Sequence, residues 1–377
     1  MLVNNPDNGQ YYIGIMSGTS ADGIDLALVQ FKESSHCLVA SHFQAYNKST
    51  QNLITSLYTP SDNEIDRMGE LDKLLAHEFA SAISAFLIEE NLSRESIIAI
   101  GNHGQTIRHR PTSTSPFTLQ IGCNQTLACL TGIRVIGKFR DKDIALGGQG
   151  APLVPAFHKA IFSTDKHNVC AVNIGGISNI TFLPKDNKQN ICGFDTGPGN
   201  ALLDDWYRKH HQDCPHGIDM NGKWGLTGKV NTQLLTNMLD DPYFAMPTPK
   251  STGREYFHLD WLKTINHIDD VSPEDIQATL LALTCETIAN DLDKLCLNSE
   301  VVLCGGGANN PALVKQLKQL LPQHNITTAE HKGVENDSLE ALVFAWLAFA
   351  FDNKLPGNLP EVTGASRATT LGCEYLP

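Results

Sequence analysis

Residues 14–25 read GIMSGTSADGID. The small residues Ser17 to Ala21 separate an apolar run ending at Met16 from another starting at Ile24, and Asp22 and Asp25 sit at the far side. Apolar runs over 12–16 and 24–31 predict two strands of a β-hairpin around that turn. Farther on, VCAVNIGGISNITFL (169–183) repeats the pattern, with Gly175-Gly176 at the reversal and Gly176 lying 158 residues after Gly18. Two such openings predict two α/β halves related by duplication.

Between and after these hairpins the periodicity alternates between strand and helix. Residues 64–90 place Leu71, Leu74, Leu75, Phe79, Ile83, Phe86 and Leu87 at helical spacing. IIAIGNHGQTI (97–107) reads as a buried strand ending in a polar loop, and TGIRVIGKF (131–139) as another short strand. A long helix is expected over 273–297, a strand and glycine turn at VVLCGGGANNPAL (301–313), and a last helix from Ser338 to Phe351.

Three turns therefore follow apolar strands: Gly18-Thr19-Ser20, Gly175-Gly176 and Gly305-Gly306-Gly307. Glycine lets backbone approach a ligand closely, and successive N–H groups in such turns can cradle phosphate oxygens. The alternative is that glycines simply make tight turns. GKWGLTGKV (222–230) is no Walker loop, because Val230 stands where Ser or Thr is needed, and GPGNALL (197–203) lacks the third glycine of a dinucleotide fingerprint.

The carboxylates have competing readings. Asp195, in GFDTGPGN (193–200), is either a buried general base or a turn residue bonding its own backbone. Asp22-Gly23 is a good hairpin-turn pair, whereas Asp25 interrupts an apolar strand. Glu340 opens an apolar helix, as a ligand-binding carboxylate or as part of an Asp337-x-x-Glu340 capping box. His103 and Gln105, in the expected loop after a strand, are candidates for sugar or carboxylate binding. Arg134, Arg140 and Lys142 add positive charge, or simply solvate the surface.

Composition narrows the partners. With 377 residues, 41% of them hydrophobic, the chain has material for about two domains. A formal net charge of -13 argues against broad electrostatic binding to nucleic acid or anionic membrane. The start, MLVNNPDNGQYY, has neither a basic nor an apolar signal region. The ten cysteines show no CxxC spacing and read as reduced, mostly buried residues of a cytoplasmic protein. Cys214-Pro-His216, beside His210 and His211, is the one cluster with a metal reading.

GIMSGTSADGID, HGQTIRHRP, GGQGAPLVPAFH, NIGGISNITFL, GFDTGPGN, PKSTGREYF, CGGGANNP and PGNLPEVTGASR occur in this order. Together, from about residue 12 to 377, they resemble the anhydro-N-acetylmuramic acid kinase family. The resemblance implies two duplicated ribonuclease-H-like domains of the actin and hexokinase type around a deep nucleotide-binding cleft. The expected domains are 1–142 plus about 358–377, and 143–357. It implies a homodimer that uses ATP and Mg²⁺ to open the 1,6-anhydro ring of its sugar with water and to phosphorylate O6.

Residue by residue, the resemblance makes Asp195 the catalytic base. It assigns Gly18, Thr19, Ser20, Ala21, Asp22, Gly23, Ile24 and Asp25 to phosphate contact, with Asp22 and Asp25 near the metal. Gly175 and Gly176 form the second phosphate turn, and Gly305, Gly306, Gly307 and Asn309 the adenosine-side loop. Glu340 is assigned to the sugar, with His103 and Gln105 on the sugar side. Ala21, Asn102, Cys123 and Lys138 depart from the family pattern. Two rival readings share these features: an anhydrosugar hydrolase without phosphorylation, and a nucleotide-dependent binding module.

Overall fold

The apolar runs beside the 18–22 turn do form a hairpin: β1 (Tyr11–Ser17) pairs antiparallel with β2 (Gly23–Lys32), Met16 opposite Asp25. In this computed structural model the described residues are 11–377, apart from 33, 34, 187, 188, 212, 213, 215, 216 and 335–337. Alternation sends Ile13 and Ile15 of β1, and Ile24, Leu26 and Leu28 of β2, into one core. Leu71, Leu75, Phe79, Ile83 and Phe86 of the Glu64–Glu89 helix join that core. Full burial of each such side chain is worth about 1.5–3 kcal/mol. Leu74 falls off the buried stripe and is 38% exposed.

The same sheet continues through β3 (Ser35–Ala45), β4 (Ile97–Arg110), β5 (Phe117–Ile121) and β6 (Val135–Gly137), with Cys373–Tyr375 as its last strand. Its main path runs β3-β2-β1-β4-β6, where β1–β2 and β2–β3 are antiparallel and β1–β4 and β4–β6 parallel. A second sheet holds β7 (Val169–Ile174), β8 (Ile177–Leu183), β9 (Cys192–Pro198), β10 (Glu300–Cys304) and β11 (Asn325–Thr328). Its order is β9-β8-β7-β10-β11, with the same alternation of antiparallel and parallel pairs. The repeated order bears out the duplication expected from the two hairpins and is the ribonuclease-H-like arrangement that the resemblance implied.

The chain divides into two compact units, Met1–Ile161 with Gly333–Pro377, and Phe162–Lys332. These boundaries differ from the expected 142/143 and 357/358. The Leu339–Asp352 helix lies on β1, β2 and β4 and so belongs to the first unit. Two glycines make its close approach possible. Gly14 and Gly101 are register partners on β1 and β4. A Cβ on Gly14 would run into the carbonyl oxygen of Ala341, and one on Gly101 into that of Phe344.

In the second unit, the Pro273–Leu295 helix supplies Ile276, Leu280, Leu283 and Ile288 to a core shared with β7, β8 and β10. Its start is written locally: Ser272 caps Asp275 N–H, and Pro273 occupies the first turn, where a missing N–H costs nothing. Of the ten cysteines only Cys170, Cys285 and Cys304 are buried, fewer than expected. Among the described residues no helix is long and apolar enough to cross a membrane.

Candidate active site

In the first unit, the turn over 18–22 is held by protein groups at its carbonyl oxygens. Gly18 O accepts from Ala21 N–H at 3.1 Å and from Gln105 Nε2 at 3.0 Å. Thr19 O accepts from Tyr58 OH at 2.9 Å, and Asp22 O from Tyr46 N–H at 2.9 Å. Thr19, Ser20 and Asp22 remain exposed, and Ser20 Oγ donates to Asp22 Oδ1 at 2.7 Å. Held this way, the turn keeps its shape without a ligand, the property a preorganised anion site needs. Ala21 adopts φ 53° and is fully buried, where L side chains rarely settle.

Gln105 is not a loop residue reaching for a ligand. β4 runs on through it to Arg110, and its side chain is fully buried. Its amide is occupied by Gly18 O, Tyr58 OH at 3.2 Å and Ser17 Oγ at 2.5 Å. Its role is to latch the turn. His103, also in β4 and 6% exposed, accepts from Arg140 Nε at 3.1 Å and Nη2 at 2.9 Å. Burial, then the Arg140 charge, push the His103 pKa well down, so the ring is neutral. With Nε2 accepting, its proton sits on Nδ1.

Arg140, which the sequence left open to surface solvation, is thus braced from behind, and its Nη1 donates to Gly150 O at 2.8 Å. Burial pushes its pKa down to about 10, against Glu340 and Asp143. Glu340 is exposed in the first turn of its helix. Desolvation by surrounding protein raises its pKa, Arg140 lowers it and Asp22 raises it. Because the carboxylate reaches solvent, the stability consequence is small. The first unit therefore gathers Asp22, Arg140, His103 and Glu340. The Asp337 of the capping-box reading lies outside the described residues.

Of the positions set apart by the resemblance, Asn102 lies in β4 and Cys123 stands at the N-cap of the Asn124–Thr131 helix. Lys73 Nζ donates to Cys123 Sγ at 2.9 Å. Burial alone would raise that thiol, but Lys73 and Thr126 together bring it below its ordinary value. Asn102 Nδ2 bonds Asn124 Oδ1 at 2.8 Å, and its Oδ1 accepts from Gly104 N–H at 3.0 Å.

In the second unit the three glycines at 305–307 separate by role. Gly305 has φ 75°, and a Cβ there would overlap Asn173 Oδ1; one on Gly307 would overlap Ile174. Both are demanded by packing. Gly306 and Asn309 are exposed, and a Cβ on Gly306 would meet only Asn200 Nδ2 at 3.9 Å. At the β7–β8 turn, Gly175 O accepts from Asn200 N–H at 2.7 Å, and Gly176 O from Gly199 and Ala201 N–H. A Cβ on Gly175 or Gly176 would meet nothing closer than 3.4 Å, so backbone lies open there.

Asp195 lies within β9, the edge strand of the second sheet. Ser251 Oγ at 2.9 Å and Thr252 N–H at 3.0 Å both donate to its Oδ2. Its own N–H donates to Lys250 O at 2.9 Å, and Tyr243 OH donates to its carbonyl at 2.7 Å. Burial raises the Asp195 pKa, Thr252 and Ser251 lower it and Glu255 raises it; the net shift is upward. This is a half-buried carboxylate held in place by a distant loop, not an Asx turn. Ser251 and Thr252 lie in the quoted PKSTGREYF, yet neither they nor Tyr243 received a role from sequence, because nothing local links them to a residue about 50 positions earlier.

The described residues contain no group of three or more His, Cys, Asp or Glu able to hold a metal. His216 of the proposed histidine–cysteine cluster lies outside the described residues. A divalent cation that takes one or two carboxylates and completes its shell with phosphate and water needs no such group of three.

The family model described as anhydro-N-acetylmuramic acid kinase matches residues 10–377. The anhydro-N-acetylmuramic acid kinase of Colwellia psychrerythraea is 53% identical, covering 100% of both chains. That of Shewanella pealeana is 47% identical, over 98% of this chain and 99% of its own. Among solved structures, the activator of the 2-hydroxyisocaproyl-CoA dehydratase from Clostridium difficile with bound ADPNP is 13% identical. It has a TM-score of 0.43 and covers 90% of this chain and 97% of that one.

Proposed function

The chain belongs to the anhydro-N-acetylmuramic acid kinase family, and from that premise we propose how its own residues carry out such a reaction. The substrates are 1,6-anhydro-N-acetylmuramic acid, ATP and water; the products are N-acetylmuramic acid 6-phosphate and ADP, feeding cell-wall recycling. Asp195 takes a proton from water as its oxygen attacks the anomeric carbon. The bond from C1 to O6 breaks, and O6 receives the γ-phosphoryl group. Because phosphorus captures the leaving oxygen, one carboxylate serves where glycosidases commonly use two. The observation that carries this reading is the Asp195 carboxylate, fixed by Ser251 and Thr252 and raised in pKa, since a base works best with its pKa nearer the working pH.

In this reading each unit offers backbone N–H groups to nucleotide phosphate: the first at the exposed turn over 18–20, the second at Gly175, Gly176 and Gly306. Asp22 and Asp25 would hold Mg²⁺, which offsets phosphate charge when bound. Gln105 and His103 act indirectly, by shaping the turn and bracing Arg140. The protein is a cytoplasmic homodimer in this reading.

Glu340 binds the sugar through a charge-assisted hydrogen bond, worth about 1.5–3 kcal/mol. Glu340→Ala therefore raises the sugar KM roughly 10- to 100-fold, with a smaller change in kcat. Steady-state kinetics check this, and an unchanged KM returns Glu340 to a role in helix initiation. The reaction itself is tested with Mg²⁺, ATP and the anhydrosugar in ¹⁸O-water. One phosphate and one solvent oxygen in the product, by mass spectrometry, support the coupled kinase. Ring opening without phosphate supports the hydrolase instead.

A further inference from the structure

The segment from Met246 to Gly253 has no helix or strand of its own, yet it supplies three of the contacts on Asp195. Lys250 O takes the Asp195 N–H, and Ser251 and Thr252 donate to the carboxylate. A bare loop along an edge strand has little to hold it in register. This one has a single deep anchor. The Lys250 side chain leaves the loop for the interior, where only 4% of the residue stays exposed. Its Nζ lies 3.1 Å from Oδ2 of Asp291, itself 2% exposed.

Asp291 sits on the Pro273–Leu295 helix, which packs against β8 and β9. Lys294 Nζ bonds its other oxygen at 2.9 Å. Lys250 Nζ also lies 5.1 Å from the ring centroid of Tyr243, whose hydroxyl donates to Asp195 O. A fully buried lysine is rare unless paired, and an apolar pair of the same volume would commonly be as stable. What the ion pair adds is a point of attachment: it ties the loop, through Lys250, to the helix packed against β9.

We infer that Lys250, clamped by Asp291, is a positioning residue that sets the Ser251–Thr252 loop and so aims the Asp195 carboxylate. The inference rests on the reading of Asp195 as the base. The Lys250 side chain pairs with Asp291, and it acts on the Asp195 carboxylate through its two neighbours, Ser251 and Thr252. A displacement of about 1 Å at a reacting group can lower turnover on the order of 10²-fold.

The test is Lys250→Met in the full-length protein, with Lys294 remaining as a partner for Asp291. The expected result is a kcat about 10²-fold lower with a sugar KM close to that of the unaltered protein. The acid limb of the kcat profile moves to higher pH, because the Ser251 and Thr252 bonds that favour the ionised carboxylate are loosened. A lower melting temperature with unchanged kcat and unchanged acid limb overturns the inference and leaves the pair a structural one. Where the single variant folds poorly, Lys250→Met/Asp291→Leu removes both charges. That double variant is expected to fold and remain slow, and full turnover from it overturns the inference. Asp195→Asn measured alongside separates the two claims: an inactive Asp195→Asn beside a fully active Lys250→Met sinks only the positioning role, whereas an active Asp195→Asn sinks the base and the inference with it.

Discussion

Asp195→Asn lowers kcat about 10³-fold, within the range a positioned general base contributes, and leaves ATP affinity essentially unchanged. The substitution is nearly isosteric. An asparagine carbonyl can still accept from Ser251 Oγ and Thr252 N–H, so the loop and strand keep their places. What is lost is the ability to take a proton from water. The sign of the pH response follows from the same group. Catalysis needs the ionised carboxylate, and burial lifts the Asp195 pKa above its ordinary value. Activity of the unaltered protein therefore rises with pH through that raised pKa and levels above it. The residual rate of the Asn variant lacks this limb. Rate-against-pH profiles of both proteins, with nucleotide binding followed by calorimetry, make the comparison. Near-normal turnover in the variant would remove Asp195 from the chemistry.

Gly101→Ala is expected to cost at least about 4 kcal/mol, a range reached only through a few specific mechanisms. One added methyl normally disturbs a core by about 1–3 kcal/mol, because neighbouring side chains can turn aside. Here the obstacle is the Phe344 carbonyl, with Ala348 Cβ at 3.2 Å beside it. Backbone in the middle of a helix has no rotamer to change. To accept the methyl, the Leu339–Asp352 helix must lift away from β1 and β4, loosening its contacts along their length. Gly14→Ala meets Ala341 in the same manner. Thermal unfolding followed by circular dichroism checks both variants. A melting temperature within a few degrees of the unaltered protein would show that the helix can yield.

The same glycines show what a single sequence discloses. The turn at 18–22, the turn at Gly175-Gly176 and the helix over 64–90 are legible because their signals are local: small residues at a reversal, or apolar spacing of 3.6. The duplication is legible because a repeated hairpin repeats the signal. Gly14 and Gly101 give no such sign, since each sits inside an apolar strand and its reason lies more than 240 positions away. His103 and Gln105 misled for a related cause. Polar residues after an apolar run read as a loop, but here they continue β4, where Arg140 donates to His103 Nε2 and Ser17 and Gly18 pair with the Gln105 amide. Asp195 had two open readings until the resemblance assigned it one, and Ser251 and Thr252, although inside the quoted PKSTGREYF, were assigned none. A residue's chemistry can be guessed from its type, whereas the partners that tune it are fixed only when the chain folds.

The first unit is made of the two ends of the chain, and the second of one uninterrupted stretch. During synthesis these become complete in the reverse of their order. The stretch Phe162–Lys332 has all its strands once its last residue emerges. The opening sheet, although made first, must wait for Leu339–Asp352 to cover Gly14 and Gly101. Until then, apolar residues of β1 and β2 on that face, such as Ala27 and Val29, have no permanent cover. Such a surface is prone to misassociation while the ribosome is still at work. A nascent chain stalled before residue 339 should thus hold a finished middle and an unfinished beginning. For this protein, losing a few dozen residues from the far end undoes the part that was born first.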